Sequence, residues 1–390
     1  MNVAHQGHPD TFNQSQPYPI YAAITATAPS ILTGATIDYN VSGGPTQSVP
    51  MAATGAAANQ WLGSIPAQVG PNLVSYTIRV VDQFGNTQIF PKGDDAFRFA
   101  VGKKTILLST DFESSAAGFT HTKVSTNDDW QMGKPQTAAS NAYDPVAAFS
   151  GNNCFGNDLQ LSAADDGLYD YGEENYLETP VINAGSHSGI HLRFRRWLTV
   201  ETGQNDKATL QMNGATFWTN PTNGDLLDTS WVLQDIATPA ADFQSSVKYR
   251  WRLKSDFGIE YGGWNVDDVQ VYALETTPVL NLNITTNTNT PPIGTLFQID
   301  FAGTPGAYFQ LLASLDGGPT SLDGYGVVGV GLASLGVFWT AQLDGTGKYS
   351  LPLPLPNEPL LQGLTLYWVG ACSKANTLVQ ISNSFKTTFL

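Results

Sequence analysis

The chain has little positive charge. Its 390 residues include 18 Lys and Arg against 33 Asp and Glu, so the net charge is −15, and charged residues make up only 13% of the total. A surface that binds nucleic acid needs a basic footprint, and anionic membranes attract basic segments. The charge balance therefore argues against both partners. It favours a protein that binds cations, and calcium is the first candidate.

Cysteine and long apolar runs are also scarce. The two cysteines, Cys154 and Cys372, fall in different predicted domains, so no disulfide framework is expected. No run of about 18 apolar residues is present, which argues against a transmembrane helix. The first residues lack the charged and apolar regions of a signal peptide. We expect an extracellular or cell-surface protein whose signal was removed or lies upstream.

The motifs of common enzymes are missing as well. There is no His-Glu-x-x-His pattern, no G-x-S-x-G elbow and no complete P-loop, and Gly324–Gly329 matches G-x-G-x-x-G without a helix after it. Acidic residues are dense at Asp165, Asp166, Glu173 and Glu174, but acidic loops are ordinary solvated turns in an acidic protein. We therefore expect no catalytic residues and no organic cofactor, although a catalytic domain could belong to a longer precursor.

What the sequence has in abundance is the β-strand pattern. Short alternating runs are separated by Gly, Pro, Asn and Asp turns every 8 to 12 residues, which is typical of β-sandwiches. We predict an all-β fold of three consecutive sandwiches: an Ig-like domain, a jelly roll and a small C-terminal sandwich. A polar lead-in is predicted at 1–16. The three domains after it are predicted at 17–102, 103–276 and 277–390.

Two acidic strand motifs occur about 150 residues apart. Asp111 and Glu113 follow Thr105-Ile-Leu-Leu-Ser-Thr, and Asp267 and Asp268 follow Gly262-Gly-Trp-Asn-Val. Carboxylates inside apolar β-runs are costly unless they are paired or bind a metal. A jelly roll often joins its first and last strands, so the motifs could meet around a calcium ion. The alternative is that these carboxylates end strands in solvent or accept backbone hydrogen bonds.

The middle domain resembles a known family. Its motifs, in order, are Asp111-Phe-Glu-Ser, Asp129-Trp-Gln-Met-Gly-Lys-Pro, Ser150-Gly-Asn-Asn-Cys-Phe-Gly-Asn-Asp-Leu, Asn175-Tyr-Leu-Glu-Thr-Pro, Arg195-Arg-Trp-Leu-Thr-Val-Glu and Gly262-Gly-Trp-Asn-Val-Asp-Asp-Val. They resemble bacterial cleaved-adhesin or choice-of-anchor J domains, which are MAM-like jelly rolls. The first domain resembles Ig-like or fibronectin III domains of secreted bacterial proteins. The last, through Leu351-Pro-Leu-Pro-Leu-Pro-Asn, resembles a C-terminal β-domain of planctomycete and myxobacterial secreted proteins.

This resemblance implies a structural calcium ion and an adhesive, sugar-binding or protein-binding role. Carried over by motif position, the calcium ligands are Asp111, Glu113, Asp267 and Asp268, with Asp158 and Asp206 as additions. Loop aromatics are a second kind of candidate, because bacterial sugar-binding modules stack rings against sugars. Those in or near loops are Trp130, Tyr169, Tyr171, Tyr176 and Trp218.

Three functions remain open from the sequence. The first is a non-catalytic extracellular binding or adhesion protein whose partner is a glycan or a surface or matrix protein. The second is the C-terminal accessory region of a secreted peptidase or other hydrolase. The third is a surface or filament subunit that assembles with copies of itself through exposed sheet edges.

Overall fold

The fold is all-β, as predicted. The computed structural model describes residues 1–54, 59–92, 95–125, 127–136, 143–159, 161, 166–276, 280–322, 325–374 and 379–390. These residues form β-strands and two short 3-10 helices, Pro239–Ala241 and Pro359–Leu361. None of the described residues belongs to a helix with the length and apolar character needed to cross a membrane.

The chain divides into two compact units. The first comprises Met1–Lys103 together with Glu275–Leu390, and the second is Lys104–Leu274. The second unit has almost the bounds predicted for the jelly roll. Each half of the first unit has its own buried core, but its division into two domains stays a prediction.

The first half of the first unit is one curled sheet with the strand order β1-β2-β5-β4-β3-β6-β7, in which β8 also pairs with β6. Alternate residues of these strands are buried, and Ile20, Ile37 and Val74 from three of them are fully enclosed in one core. Its strands are β1 (Asn2–Ala4), β2 (Tyr18–Thr25), β3 (Leu32–Val41), β4 (Gln47–Ala53), β5 (Gln60–Ile65), β6 (Asn72–Asp82), β7 (Thr87–Phe90) and β8 (Phe97–Val101).

The predicted lead-in at 1–16 is part of this sheet, so the expectation of a separate polar segment is wrong. Strand β1 pairs with β2, and Thr11 forms a bridge with Val101. His8 is only 4% exposed because its ring packs against both Tyr18 and Phe99, with ring centroids 5.8 and 4.4 Å away. Aromatic contacts bury this polar residue, and the alternation of polar and apolar residues along a strand does not reveal such contacts.

The second half of the first unit contains sheets of three, five and two strands. Leu282 begins a strand, so the Thr- and Asn-rich stretch that follows it is a strand plus a turn rather than a linker. The strands are β21 (Leu282–Thr286), β22 (Leu296–Gly303), β23 (Tyr308–Ser314), β24 (Gly317–Leu322), β25 (Gly326–Val330), β26 (Gly336–Gln342), β27 (Lys348–Pro354), β28 (Thr365–Ser373), β29 (Gln380–Ile381) and β30 (Phe385–Thr388).

The second unit is a sandwich of two antiparallel sheets. One has the order β10-β13-β19-β15-β16, and the other has the order β11-β12-β20-β14-β17 with β18 on β14 and β9 on β20. The strands are β9 (Lys103–Thr110), β10 (Thr120–Ser125), β11 (Trp130–Gly133), β12 (Cys154–Asn157), β13 (Glu174–Glu178), β14 (Ile190–Val200), β15 (Lys207–Met212), β16 (Ala215–Thr219), β17 (Leu226–Leu227), β18 (Val232–Ala237), β19 (Tyr249–Lys254) and β20 (Gly263–Glu275).

The core of this sandwich explains why its strands alternate. Phe194 of β14 and Trp251 of β19 meet edge to face with ring centroids 5.2 Å apart, and both are fully buried. Such aromatic pairs stabilise a core beyond the area they bury. Buried free thiols occur at Cys154 in this unit and at Cys372 in the first unit.

The two acidic motifs are brought together as predicted, because the first strand of the unit, β9, pairs with the last, β20. A β-bulge interrupts β20, since Arg193 pairs with Gln270 but Arg195 pairs with Asp267. Asp268 is in the bulge with φ 48°, a left-handed conformation that Asp tolerates better than most residues. Asp267 is buried against the neighbouring loop, where it accepts hydrogen bonds from the Phe149 and Ser150 N–H groups, and the bulge lets Asp268 reach the same loop.

Candidate metal centre

Three carboxylates of the second unit converge at one end of the sandwich. Glu201 follows β14, Asp206 precedes β15 and Asp256 follows β19, and one oxygen from each lies within 4.8 Å of the others. No second group of three acidic, His or Cys side chains this close occurs in the part of the chain that the structure describes. All three residues lie in loops, within two positions of a strand end.

Asp206 is the anchor of this acidic cluster. It is fully buried, its Oδ2 accepts a hydrogen bond from the Tyr169 hydroxyl at 2.6 Å, and its Oδ1 accepts from the Asp256 backbone N–H at 2.7 Å. Burial nevertheless raises the pKa of Asp206, and the charges of Asp256 and Glu201 raise it further. The ionised form of the cluster therefore lacks compensation.

Glu201 supplies the oxygen that most needs a partner. The residue is 8% exposed, and its Oε1 accepts from the Asn205 amide at 2.5 Å. Its Oε2 is buried, and no hydrogen-bond donor among the described residues reaches it. This oxygen points towards Gly258, where an added Cβ would lie 3.6 Å from it and 2.8 Å from Asp256 Oδ1.

The donor set fits a hard divalent cation. Calcium takes six to eight oxygen ligands, mostly carboxylates, carbonyls and water, and the cluster offers three carboxylates. No Lys or Arg of the described chain forms an ion pair with Glu201, Asp206 or Asp256. A buried oxygen without a donor, next to two further carboxylates, is more easily satisfied by a cation than by the protein.

The sequence named only one of these three carboxylates, Asp206, as a metal candidate. Glu201 ends a motif quoted for the family resemblance but was not expected to bind a metal, and Asp256 was missed. The usable signal was Glu201 and Asp206 on either side of a four-residue turn between strands. Asp256 lies 50 positions beyond Asp206, and nothing in the sequence shows that the two meet.

Three of the four principal candidates from the sequence hold a loop. Glu113 Oε1 accepts from the N–H groups of Asn152 and Asn153 at 2.8 and 2.7 Å. Asp267 Oδ2 accepts from Phe149 and Ser150 N–H, its Oδ1 accepts from Asp268 N–H, and Asp268 Oδ1 accepts the Ser150 hydroxyl at 2.7 Å.

These contacts match the alternative interpretation of the motifs, in which the carboxylates accept backbone hydrogen bonds. Asp111 is exposed and its Oδ1 accepts only the nearby Glu113 N–H at 3.2 Å. Burial raises the pKa of Asp267 to about 7 even with three N–H donors. Calcium at Asp111, Glu113, Asp267 and Asp268 stays a prediction that these donors do not favour.

Asp158 lies apart from both groups. Its Oδ2 accepts from the N–H groups of Asp166 and Gly167 at 3.0 and 3.1 Å, and its φ is 36°. Its carboxylate is thus satisfied by backbone donors eight and nine positions further along the chain.

A buried acid pair occurs elsewhere in the unit. Asp129 Oδ1 and Glu173 Oε2 both accept from the Asn175 amide at 2.9 Å. Burial raises the pKa of both, so the pair retains a proton that two isolated acids would have lost. Glu173 is fully buried and Glu174 pairs with Arg252, so neither serves as an exposed acid or base; Asp165 lies outside the described residues.

The aromatic candidates divide by exposure. Trp130 and Tyr169 are 3% and 0% exposed, so the prediction that they stack on a ligand is wrong for both. Tyr176 lies under the Arg250 guanidinium at 4.3 Å, and Trp218 packs on Trp264 with centroids 5.6 Å apart. Tyr171 is 49% exposed. Ligand binding by these last three stays a prediction.

Comparisons with known proteins do not assign the chain to a family. No protein-family model and no curated protein sequence matches the chain. The resemblance to cleaved-adhesin and choice-of-anchor J domains therefore stays a prediction, and the β-sandwich kind rests on the sheets described above.

Similar solved structures all have low scores. They include the glycoside hydrolase domain of Endo-D from Streptococcus pneumoniae, at 9% identity over 70% of this chain and 37% of that one, with a TM-score of 0.25. A carbohydrate-binding module of the β-sandwich superfamily matches at 9% identity over 70% and 98%, with a TM-score of 0.29. A bacterial ice-binding adhesin matches at 9% identity over 100% and 97%, with a TM-score of 0.18. With TM-scores below 0.5, these likenesses say nothing about function.

Proposed function

We propose that this chain is a non-catalytic extracellular binding protein whose jelly-roll unit is stabilised by calcium at Glu201, Asp206 and Asp256. The observation that carries the proposal is the buried Oε2 of Glu201, which has no donor and lies beside two further carboxylates. The partner is a glycan or a surface or matrix protein, which the order of the family-like motifs supports.

The proposed ion has a structural role. Its ligands come from the two ends of the loop between β14 and β15 and from the loop after β19, so it would join two loops at one end of the sandwich. Bound calcium supplies the positive charge that these acids lack. Tyr169 and the Asp256 N–H orient Asp206, and the Asn205 amide orients Glu201.

Thermal unfolding of the full chain with calcium and with excess EDTA tests this proposal. A ligand at 100 times its Kd stabilises the folded state by about 2.7 kcal/mol, which raises the Tm of a unit of this size by about 5 to 10 °C. We expect one transition to shift by this amount. The shift should be lost in Glu201→Gln, which keeps the shape of the side chain and removes its charge.

Asp111→Asn is the matched control, because Asp111 is an exposed acid of the same unit that lies outside the cluster. It should keep the full calcium shift. A shift that survives in Glu201→Gln and disappears in Asp268→Asn would place the ion at the β9 and β20 motifs and contradict the proposal. No shift in the parent chain, with no calcium retained after dialysis, would contradict calcium altogether.

A further inference from the structure

A polar groove crosses the outward face of the seven-stranded sheet of the second unit. It has a volume of about 460 Å³ and is lined by side chains from β9, β14, β18 and β20. Residues of β14 alternate between buried and half-buried, so Arg193 and Arg195 project on the face opposite the core. The groove is separate from the acidic cluster, and the proposed metal site makes no use of it.

The groove gathers positive charge in an acidic chain. Lys104, Arg193 and Arg195 line it, and they are three of only 18 Lys and Arg in the protein. The Arg195 guanidinium lies 3.8 Å over the ring of Phe149, which holds it in place. Arg193 has neither an ion pair nor a side-chain hydrogen bond to any residue that the structure describes, so its five N–H donors are available to a ligand.

The same groove also holds acceptors. Asp111, Asp268 and Gln270 line it beside the two arginines, and Gln270 is the direct cross-strand neighbour of Arg193. Two carboxylates disfavour a ligand that presents anionic groups alone, such as an acidic peptide. They would accept hydrogen bonds from hydroxyl groups. A ligand that matches both features has separate acidic groups and many hydroxyls.

We propose that this groove binds an acidic saccharide, with Arg193 and Arg195 on a carboxylate or sulfate group and Asp111, Asp268 and Gln270 on sugar hydroxyls. Guanidinium groups bind both kinds of anion in a forked geometry. The inference rests on the proposed binding function and names its ligand class, but it does not depend on calcium.

Calorimetric titration of the full calcium-loaded chain tests the inference. The probes are a galacturonic acid hexamer, a sulfated heparin hexasaccharide and neutral xylohexaose, and they separate carboxylate from sulfate recognition. We expect at least one acidic probe to bind at least tenfold more tightly than xylohexaose, and to weaken as salt rises. The double variant Arg193→Gln and Arg195→Gln should weaken that binding at least tenfold, whereas Lys207→Gln, at an exposed lysine outside the groove, should not change it.

Four results would overturn the assignment. Acidic probes that bind the double variant as tightly as the parent would show that the groove is not used, while leaving the binding function intact. Xylohexaose that binds as tightly as the acidic probes would remove the role of the arginines. A polyglutamate peptide that competes equally well would show that the groove recognises charge alone. A full chain that binds no saccharide but keeps its calcium shift overturns the groove and leaves the calcium site standing.

Discussion

Single carboxylates in the second unit differ mainly in what compensates them. Asp267 is fully buried but has three backbone N–H donors. Glu173 shares the Asn175 amide with Asp129 and keeps a proton in the pair. Glu201 has a buried oxygen with no donor. A cation is therefore most strongly indicated at Glu201, since a buried acid without compensation is costly.

Gly258 offers a way to disturb the proposed metal site without removing a proposed ligand. Its side-chain position is 2.8 Å from Asp256 Oδ1, so Gly258→Ala must displace that carboxylate. Asp256 reaches solvent and can move, so we expect little change in Tm in EDTA. Calcium affinity should fall about tenfold, a loss of about 1.4 kcal/mol, as measured by competition with a fluorescent chelator.

Gly345→Ala serves as the comparison, because no atom lies within 4 Å of its added Cβ. It should leave calcium affinity at the parent value. Unchanged affinity in Gly258→Ala would count against Asp256 as a ligand.

At this scale the sequence predicted acidic residues but not their partners. Asp206 was named, whereas Glu201 and Asp256 were not, because their proximity is a tertiary contact between the ends of β14 and β19. Trp130 begins β11 and Tyr169 lies in a loop, and both are buried, whereas nothing in local polarity shows that either side chain turns inwards.

Among the elements, the loop 149–153 is held to the sheet by the two acidic motifs. Glu113 accepts two of its N–H groups and Asp267 accepts two more. Gly151 has φ +56°, and an added Cβ would lie 2.2 Å from Glu113 Cδ, so only glycine allows this approach. The motifs that sequence reading associated with calcium thus fix a loop against β9 and β20.

Removing this attachment should destabilise the unit whether or not calcium is present. Hydrogen bonds to charged groups contribute about 1.5–3 kcal/mol each when buried. Glu113 is only half-buried, so we expect Glu113→Ala to lower the free energy of unfolding by about 2–3 kcal/mol in total. Asp111→Ala, which removes one local contact of an exposed acid, should lower it by less than about 1 kcal/mol.

Urea unfolding in calcium and in EDTA measures both variants. The difference in the free energy of unfolding between Glu113→Ala and Asp111→Ala should be the same in calcium and in EDTA. A Glu113→Ala effect that is present in calcium and vanishes in EDTA would instead make Glu113 a ligand, as the family resemblance implies.

Strands were predictable where alternation is long. The first half of the first unit was expected to have seven strands from Tyr18 to Phe99, and β2 to β8 are found in its described part. The strand predicted at Thr105–Glu113 ends at Thr110, because the acidic residues turn away to hold the loop. Strand β1 has only three residues, too few for a period of two to show.

For the whole molecule, the sequence gives no sign that residues 1–103 and 275–390 form one compact unit. Phe12 meets Tyr325 edge to face at 5.7 Å, and the His8 ring lies next to Gly326. Contacts over 300 positions leave no local pattern. The two units also differ in their titratable groups, and this difference has a measurable consequence.

The units should respond to acid in opposite directions. In the first, burial lowers the pKa of His8 to about 4 and also lowers that of His5. Unfolded histidine titrates near 6.5, so the unfolded state takes up protons first and this unit loses stability as pH falls from about 6.5 towards 4. For His8 alone the loss is on the order of 3 kcal/mol at most.

The second unit should gain stability over the same range. Burial raises the pKa of Asp267 to about 7, and the pKa values of Asp129, Glu173 and Asp206 are raised as well. Unfolded carboxyls titrate near 4, so the folded state takes up protons first. The stability present below pH 4 is then lost as pH rises towards 7.

Differential scanning calorimetry of the full chain in calcium-free buffer from pH 7 to pH 5 tests this contrast. The pKa values of Glu174 and Glu178 are lowered in the folded protein. Below pH 5 these two groups would make the second unit less stable and oppose the expected gain, so the scans stop at pH 5. The calcium-sensitive transition identifies the second unit and should move up, while the other moves down. His8→Phe keeps a ring packed against Tyr18 and Phe99 and should flatten only the falling transition. If both transitions move together, or if His8→Phe leaves the fall unchanged, buried His8 is not what makes the first unit acid-sensitive.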